Sequence, residues 1–321
     1  MSKVLITGAS GFVGANLARR MLKDGHQVSI ILREESQSWR LDDISNELDV
    51  IKLNLLDFEQ VLKSASEKKF ELIFHLPVCG AYSWQTDWTQ IVNTNLTSTI
   101  NLVEACAKVG FECFVNTGSS SEYGFYDHAP KEEEPVEPNS YYAITKAAAT
   151  MTCRFVAARD KLRIPTLRLY SVFGPYEDPR RLMPTLINRG RQGELPPLVD
   201  PSIARDYIYV DDVVEAFLKA VQAKDQEPGA VYNVGTGIQT SMKEIVEIAR
   251  EVLTIEAEPS WGSMENRVWD SSVWVADNEK IRKELSWEPE YSLKEGFRSF
   301  SNWMDNLDAL ETVKKRYLQS V

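Results

Sequence analysis

Lys3-Val-Leu-Ile-Thr-Gly-Ala-Ser-Gly-Phe-Val-Gly14 decides the fold. A short aliphatic run enters Thr7-Gly8-x-x-Gly11-x-x-Gly14, and an amphipathic stretch from Phe12 to Lys23 follows at once. Strand, glycine turn and helix in that order form a phosphate cradle, because glycines permit the tight turn and let N–H groups at a helix N-terminus approach a pyrophosphate. The alternative at these residues is an ordinary glycine-rich βα turn; the spacing and context favour the cradle.

Outward from this stretch, β-rich apolar runs at 3–7, 27–33, 48–53, 70–76, 112–117 and 164–170 alternate with amphipathic segments, the pattern of a parallel sheet covered by helices. Val92, Leu96, Ile100, Val103 and Ala107 recur at helical spacing, so 87–109 reads as a helix with one buried face, as does 141–158. The expected fold is α/β, a Rossmann doubly wound parallel sheet with a smaller, mostly C-terminal substrate-binding lobe. Residues 1–174, with 206–240 returning to them, are expected to form the dinucleotide-binding part, the runs 206–210 and 231–234 being late strands of the sheet. Residues 175–205 and 241–321 would form the lobe, packed by Trp261, Trp269, Trp274 and Trp287.

Composition bounds the function. The chain has 321 residues, 43% of them hydrophobic, and no apolar run long enough to cross a bilayer. Val4 to Ile6 is too short for the core of a signal peptide. Cys79, Cys106, Cys113 and Cys153 show no CxxC spacing, so reduced thiols in a cytoplasmic protein are expected and no metal site. A net charge of −11 argues against nucleic acid or anionic membrane as partner. Anionic ligands must then meet local arginines: Arg180 with Arg181, Arg189 with Arg191, Arg205, or Arg267. The acidic run Glu132 to Glu134 reads as a solvated loop.

The second strand selects the cofactor. It ends in Arg33, which suits the 2′-phosphate of NADP; Glu34, one residue on, would suit the ribose hydroxyl of NAD. NADP is the first expectation and NAD the alternative. Asn54 and Asp57, after the third strand, are placed to border the adenine, although Asp57 could instead cap a helix.

Farther along, Cys113-Phe-Val-Asn-Thr117 runs into Gly118-Ser-Ser-Ser-Glu-Tyr-Gly124, bringing hydroxyls to the C-terminal edge of the sheet. Tyr142 and Lys146 stand four apart on a helix and share a face. A phenol is a poor base at neutral pH, and a nearby ammonium favours its phenolate. Alone, such a pair is more often a surface pair, and Ser119 to Ser121 could be a turn cluster.

Together these motifs resemble the extended short-chain dehydrogenase/reductase family of nucleotide-sugar epimerases, dehydratases and ketoreductases. Phe74-His-Leu76, Asn95, Arg168-Leu-Tyr-Ser-Val-Phe-Gly-Pro175 and Arg205-Asp-Tyr-Ile-Tyr-Val-Asp-Asp212 extend the resemblance over nearly the whole chain. It implies that Ser119 bonds the reacting sugar oxygen, Tyr142 shuttles the proton, and Lys146 holds the nicotinamide ribose. It implies further that Thr7, Gly8, Ser10, Gly11, Phe12, Val13 and Gly14 cradle the cofactor, bordered by Arg33, Asn54, Leu55, Leu76, Pro77, Asn95 and Thr117. Arg205 and Arg267 look like clamps on the substrate diphosphate, with Tyr82, Ser83, Ser120, Ser121 and Ser171 near the sugar. Relatives pair as homodimers through helices corresponding to 87–109 and 141–158, where Thr97, Thr99, Ala147, Ala148 and Ala149 are compatible with close packing.

Three departures narrow the reaction. Ser120 and Ser121 replace the adjacent Asp and Glu of the sugar dehydratases, so elimination is not expected. Pro77-Val78 replaces the alanines after His-Leu, and Ser171 stands where many relatives have asparagine. The leading expectation is a 4-ketoreductase of an NDP-4-keto-6-deoxy sugar; the alternative is an NDP-sugar 4-epimerase with tightly bound NAD. A non-catalytic dinucleotide-binding regulatory protein is the third reading, and such proteins typically lose the Tyr or Lys that this chain keeps.

Overall fold

The computed structural model describes residues 1–82, 84–264, 273–307 and 310–318. Its first half alternates β1 (Lys3–Thr7), α1 (Phe12–Lys23), β2 (Gln27–Leu32), β3 (Asp49–Lys52), α2 (Phe58–Lys68), β4 (Leu72–His75), α3 (Trp88–Val92), α4 (Ser98–Val109), β5 (Cys113–Ser119), α5 (Tyr141–Asp160) and β6 (Thr166–Leu169). Then come β7 (Ser171–Phe173), α6 (Leu182–Gly190), β8 (Ala204–Arg205), β9 (Tyr207–Tyr209), α7 (Val210–Gln222), β10 (Val231–Val234), β11 (Thr240–Ser241), α8 (Met242–Leu253), α9 (Glu279–Leu285), α10 (Leu293–Asp305) and α11 (Glu311–Leu318). Seven strands form one parallel sheet in the order β10-β6-β5-β4-β1-β2-β3. Chain direction across the sheet reverses between β1 and β4, which opens a crevice at their C-terminal ends.

Apart from the largely exposed edge strand β3, the sheet is buried on both faces, as parallel sheets require. Alternate residues divide between two cores: Val4 and Ile6 pack with Phe74, Val115 and Phe217, while Leu5 packs with Ile73, Phe114, Leu102 and Val156. A third core holds Phe173, Met183, Leu186, Ile245, Phe297 and Phe300. Trp287, expected in the lobe, instead lies in the sheet's core, where its indole N–H donates to the Asp212 carbonyl at 3.0 Å. Trp261 packs on the third core, and Trp269 lies outside the described residues.

The run 206–210 does not join the main sheet. β10 fills the outer edge of β6, pairing Val231 with Thr166, so β9 pairs instead with β7 in a separate two-stranded sheet. Asp206 anchors this arrangement, its buried carboxylate accepting from the N–H groups of Thr236, Gly237 and Ala276. Glu132 also departs from expectation: it is buried and accepts from the Asn233 N–H at 2.8 Å, an inward tie that charge patterning does not reveal. All four cysteines are buried free thiols. No helix among the described residues is long and apolar enough to cross a membrane.

Candidate active site

The cradle is built by backbone contacts that tolerate no side chain. Gly8 has φ +74°, and a Cβ there would lie 2.7 Å from the Leu76 carbonyl carbon; a Cβ on Gly14 would lie 2.4 Å from the Gly8 oxygen. Gly11 caps α1 with no side-chain hydrogen bond, so the first-turn N–H groups of Phe12, Val13 and Gly14 stand without intrahelical acceptors. The two side chains here face elsewhere, Phe12 toward the lobe and Val13 toward the sheet core. The Thr7 hydroxyl also points inward, 2.7 Å from His75 Nδ1, while His75 Nε2 lies 2.9 Å from the Thr99 hydroxyl. Burial, with the charge of Lys146 adding to it, lowers the His75 pKa to about 3, so this ring is a neutral tie between β1, β4 and α4.

A cavity of about 550 Å³ opens above the cradle, lined by Gly8, Ser10, Gly11, Arg33, Asn54, Leu55, Leu76 and Pro77. An elongated anion with an adenosine end fits this donor set: helix N–H groups at one end, a mixed polar and apolar wall at the other. Asn54 accepts from the Leu56 N–H at 3.1 Å, and Asp57 caps α2 through the Gln60 N–H at 3.1 Å. Arg33 is exposed, its Nε 3.4 Å from Glu35, so the wall presents both signs of charge.

Between α3 and α4 the chain forms a π turn over Asn93–Thr97. The wide turn buries Asn95, whose amide accepts from the Cys79 N–H and donates to the Cys79 carbonyl, both at 2.8 Å, and to Thr145 at 3.0 Å. Asn95 therefore holds the 79–80 loop against α5 from behind the cavity. Gly80 makes that approach possible, since a Cβ there would lie 3.3 Å from the Tyr142 Cβ.

Ser119, Tyr142 and Lys146 come together at the end of β5. The Ser119 hydroxyl accepts from the Ser121 N–H at 3.2 Å, leaving its own proton free to turn to the Tyr142 phenol. Burial raises the phenol pKa, while the Ser119 hydroxyl and the charge of Arg181 pull it down. Lys146 Nζ donates to the Thr117 carbonyl; burial lowers its pKa and the charge of Glu122 opposes the drop. Glu122 faces away from the cavity, fully buried, 2.9 Å from Arg168 Nε. Ser120 is buried beside it.

A second cavity of about 490 Å³ adjoins the lobe, lined by Tyr82, Ser171, Glu177, Arg181, Arg205 and Met242. Trp84 stacks on Tyr82 with centroids 4.6 Å apart, and Arg180 sits 4.1 Å over Trp84. The Arg205 guanidinium lies 4.8 Å over Trp274. Ser83 and Arg267 lie outside the described residues. Arg189 and Arg191 pair with Glu194 and Asp305 instead.

Sequence reasoning missed Arg40. Its Nε donates to the Tyr176 carbonyl at 2.6 Å and its Nη1 to the Ser10 carbonyl at 3.3 Å, joining lobe and cradle. No local motif announces it, because both acceptors are backbone atoms distant in sequence.

Residues 4–235 match the family described as NAD dependent epimerase/dehydratase family. The chain is similar to the UDP-glucose 4-epimerase of Mycolicibacterium smegmatis, with 30% identity over 308 residues, covering 92% of this chain and 96% of that protein. Among solved structures it is similar to the UDP-glucose 4-epimerase of Thermotoga maritima with UDP-glucose, at TM-score 0.84 and 26% identity over 94% of this chain and 98% of that one. It is also similar to MoeE5 in complex with UDP-glucuronic acid and NAD, at TM-score 0.82 and 28% identity over 94% of this chain and 99% of that one.

Proposed function

The chain belongs to the NAD dependent epimerase/dehydratase family, and on that premise we propose that it is an NAD-dependent 4-epimerase of a nucleoside-diphosphate sugar. One observation sets elimination aside within the family. The carboxylate of the 119–124 turn, Glu122, is turned into the core against Arg168, and Ser120 and Ser121 carry no carboxyl. The acid and base that elimination demands are missing from this turn, while the hydroxyl, phenol and ammonium of a reversible oxidation are present. Between the two readings that remain, relatives that are 4-epimerases support the epimerase over the ketoreductase first expected from Arg33.

Of the two expected cofactors, NAD is the one named by the family and bound in MoeE5. When bound, NAD supplies the hydride acceptor for the sugar C4 and returns the hydride. The chain's residues do the rest. Phe12, Val13 and Gly14 offer N–H groups to the pyrophosphate, and Lys146 binds the nicotinamide ribose. Ser119 donates to the sugar O4, and Tyr142 removes the O4 proton and gives it back after the sugar presents its other face. Tyr82, Ser171 and Arg205 hold the nucleotide sugar in the second cavity. A homodimer fits the outer faces of α4 and α5, where Ile100, Ile144, Met151 and Phe155 are exposed. Thr99, Ala147 and Ala149, thought compatible with that contact, are instead buried inside the protomer.

The test offers the purified protein UDP-glucose, UDP-galactose and their pentose and uronate counterparts without added reductant. Interconversion of 4-epimers with no net NADH supports the proposal. A requirement for stoichiometric NADPH and a 4-keto sugar refutes it and restores the reductase.

A further inference from the structure

Behind Ser119 lies a buried ion pair that the reaction does not touch. Glu122 and Arg168 are 0% and 4% exposed. One carboxylate oxygen of Glu122 accepts from the Ser119 N–H at 2.9 Å and from the Thr150 hydroxyl at 3.0 Å; the other accepts from Arg168 Nε at 2.9 Å. Arg168 is itself fixed, its guanidinium 4.4 Å over the Tyr123 ring. Gly118 makes room for this arrangement, since a Cβ there would lie 2.7 Å from Glu122 Oε1.

The geometry points to Glu122 as the positioning residue of the proton-transfer centre: it fixes Ser119 through the backbone and sets a negative charge beside Tyr142 and Lys146. The inference rests on the proposed role of Tyr142. A tight turn already commits the Ser119 oxygen to the Ser121 N–H. Holding the Ser119 N–H on Glu122 stops that turn from rolling, so the hydroxyl proton stays aimed at Tyr142. The charge has its own effect. Lys146 is buried, and Glu122 is the carboxylate that holds it toward the ammonium form while opposing phenolate formation at Tyr142. Tyr142 also faces Ser119 on β5, Arg181 ahead of α6 and Tyr82 after β4, with Lys146 on its own helix; Glu122 faces Arg168 on β6 and Thr150 and Lys146 on α5. Arg181 and Tyr82 stay unchanged in the variants below.

Two variants separate the roles. Glu122→Gln keeps an acceptor for the Ser119 N–H and removes the charge. The Tyr142 phenol, followed in the NAD-loaded protein by tyrosinate absorbance against a Tyr142→Phe reference, is expected to titrate at lower pH than in the parent. This reading needs no sugar, so its failure is distinct from a wrong substrate assignment. Glu122→Leu with Arg168→Met removes both charges of the pair together, so neither partner is left without the other. With the 4-epimer pair as substrate, kcat is expected to fall roughly tenfold or more at unchanged KM, the mark of a displaced catalytic hydroxyl with intact sugar binding. An unmoved phenol titration in a folded Glu122→Gln protein overturns the inference, and so does a folded double variant with parental kcat. If the glutamine variant fails to fold, the double variant decides.

Discussion

Replacing His75 by Gln should remove a defined part of the protein's acid sensitivity. The ring is 3% exposed, bonded to Thr7 and Thr99, and its pKa falls from 6.5 to about 3 because burial disfavours the cation. The folded protein keeps His75 neutral where the unfolded chain binds a proton. The contribution is therefore fully present above pH 6.5 and is lost as pH falls toward about 3. Within that window the slope approaches about 1.4 kcal/mol per pH unit, so between pH 6.5 and 4.5 the neutral ring forfeits about 2 kcal/mol. Glu177 and Asp212, whose carboxyl pKa values are pushed up by burial to about 8 and about 6, act in the opposite direction. They are common to both proteins and cancel in the difference. Urea unfolding of parent and His75→Gln at a series of pH values between 4.5 and 7.5 measures that difference. Glutamine can still meet both threonines and does not titrate, so relative to the parent the variant is expected to gain about 2 kcal/mol between pH 6.5 and 4.5. A stability difference that stays constant with pH refutes the buried-neutral assignment.

Tyr142→Phe is expected to lower kcat by about 10²–10⁴ while binding NAD as before, measured by single-turnover kinetics and cofactor titration. Phe155→Glu places a charge on the exposed α5 face and is expected to convert the proposed dimer to monomers in light scattering, with the far-ultraviolet spectrum unchanged. Glu177 is raised to about 8 by burial, so its contribution is fully present below pH 4.5 and declines as pH rises to about 8. Glu177→Gln should flatten that decline between pH 4.5 and about 8 by about 1.4 kcal/mol per pH unit, measured by urea unfolding across the window.

What the sequence made legible was what local geometry controls. The Gly8, Gly11 and Gly14 spacing could be read because the required φ and the close approach of Leu76 act within one βα unit. Tyr142 and Lys146 could be read because four residues of helix bring them onto one face. Strand partners were less accessible: 206–210 has strand character, yet nothing in its own residues says that β10 already holds the edge of β6. Asn95 was placed in the cofactor site, but its amide serves the Cys79 backbone, a contact made possible by the π turn. Glu122 stands in the 118–124 stretch with nothing local to mark its partner; Arg168 lies 46 positions on, and the pair became visible only with the sheet assembled.

Arg40 gives the molecule a mechanical constraint. Because one guanidinium bonds the carbonyls of Ser10 and Tyr176, any widening of the sugar cleft that separated lobe from cradle would strip a part-buried cation of two acceptors. Entry and exit of substrate must therefore leave this rivet closed. The wall of the second cavity that this rivet does not bond is the one carrying Trp84, 52% exposed and held by stacking on Tyr82 and Arg180.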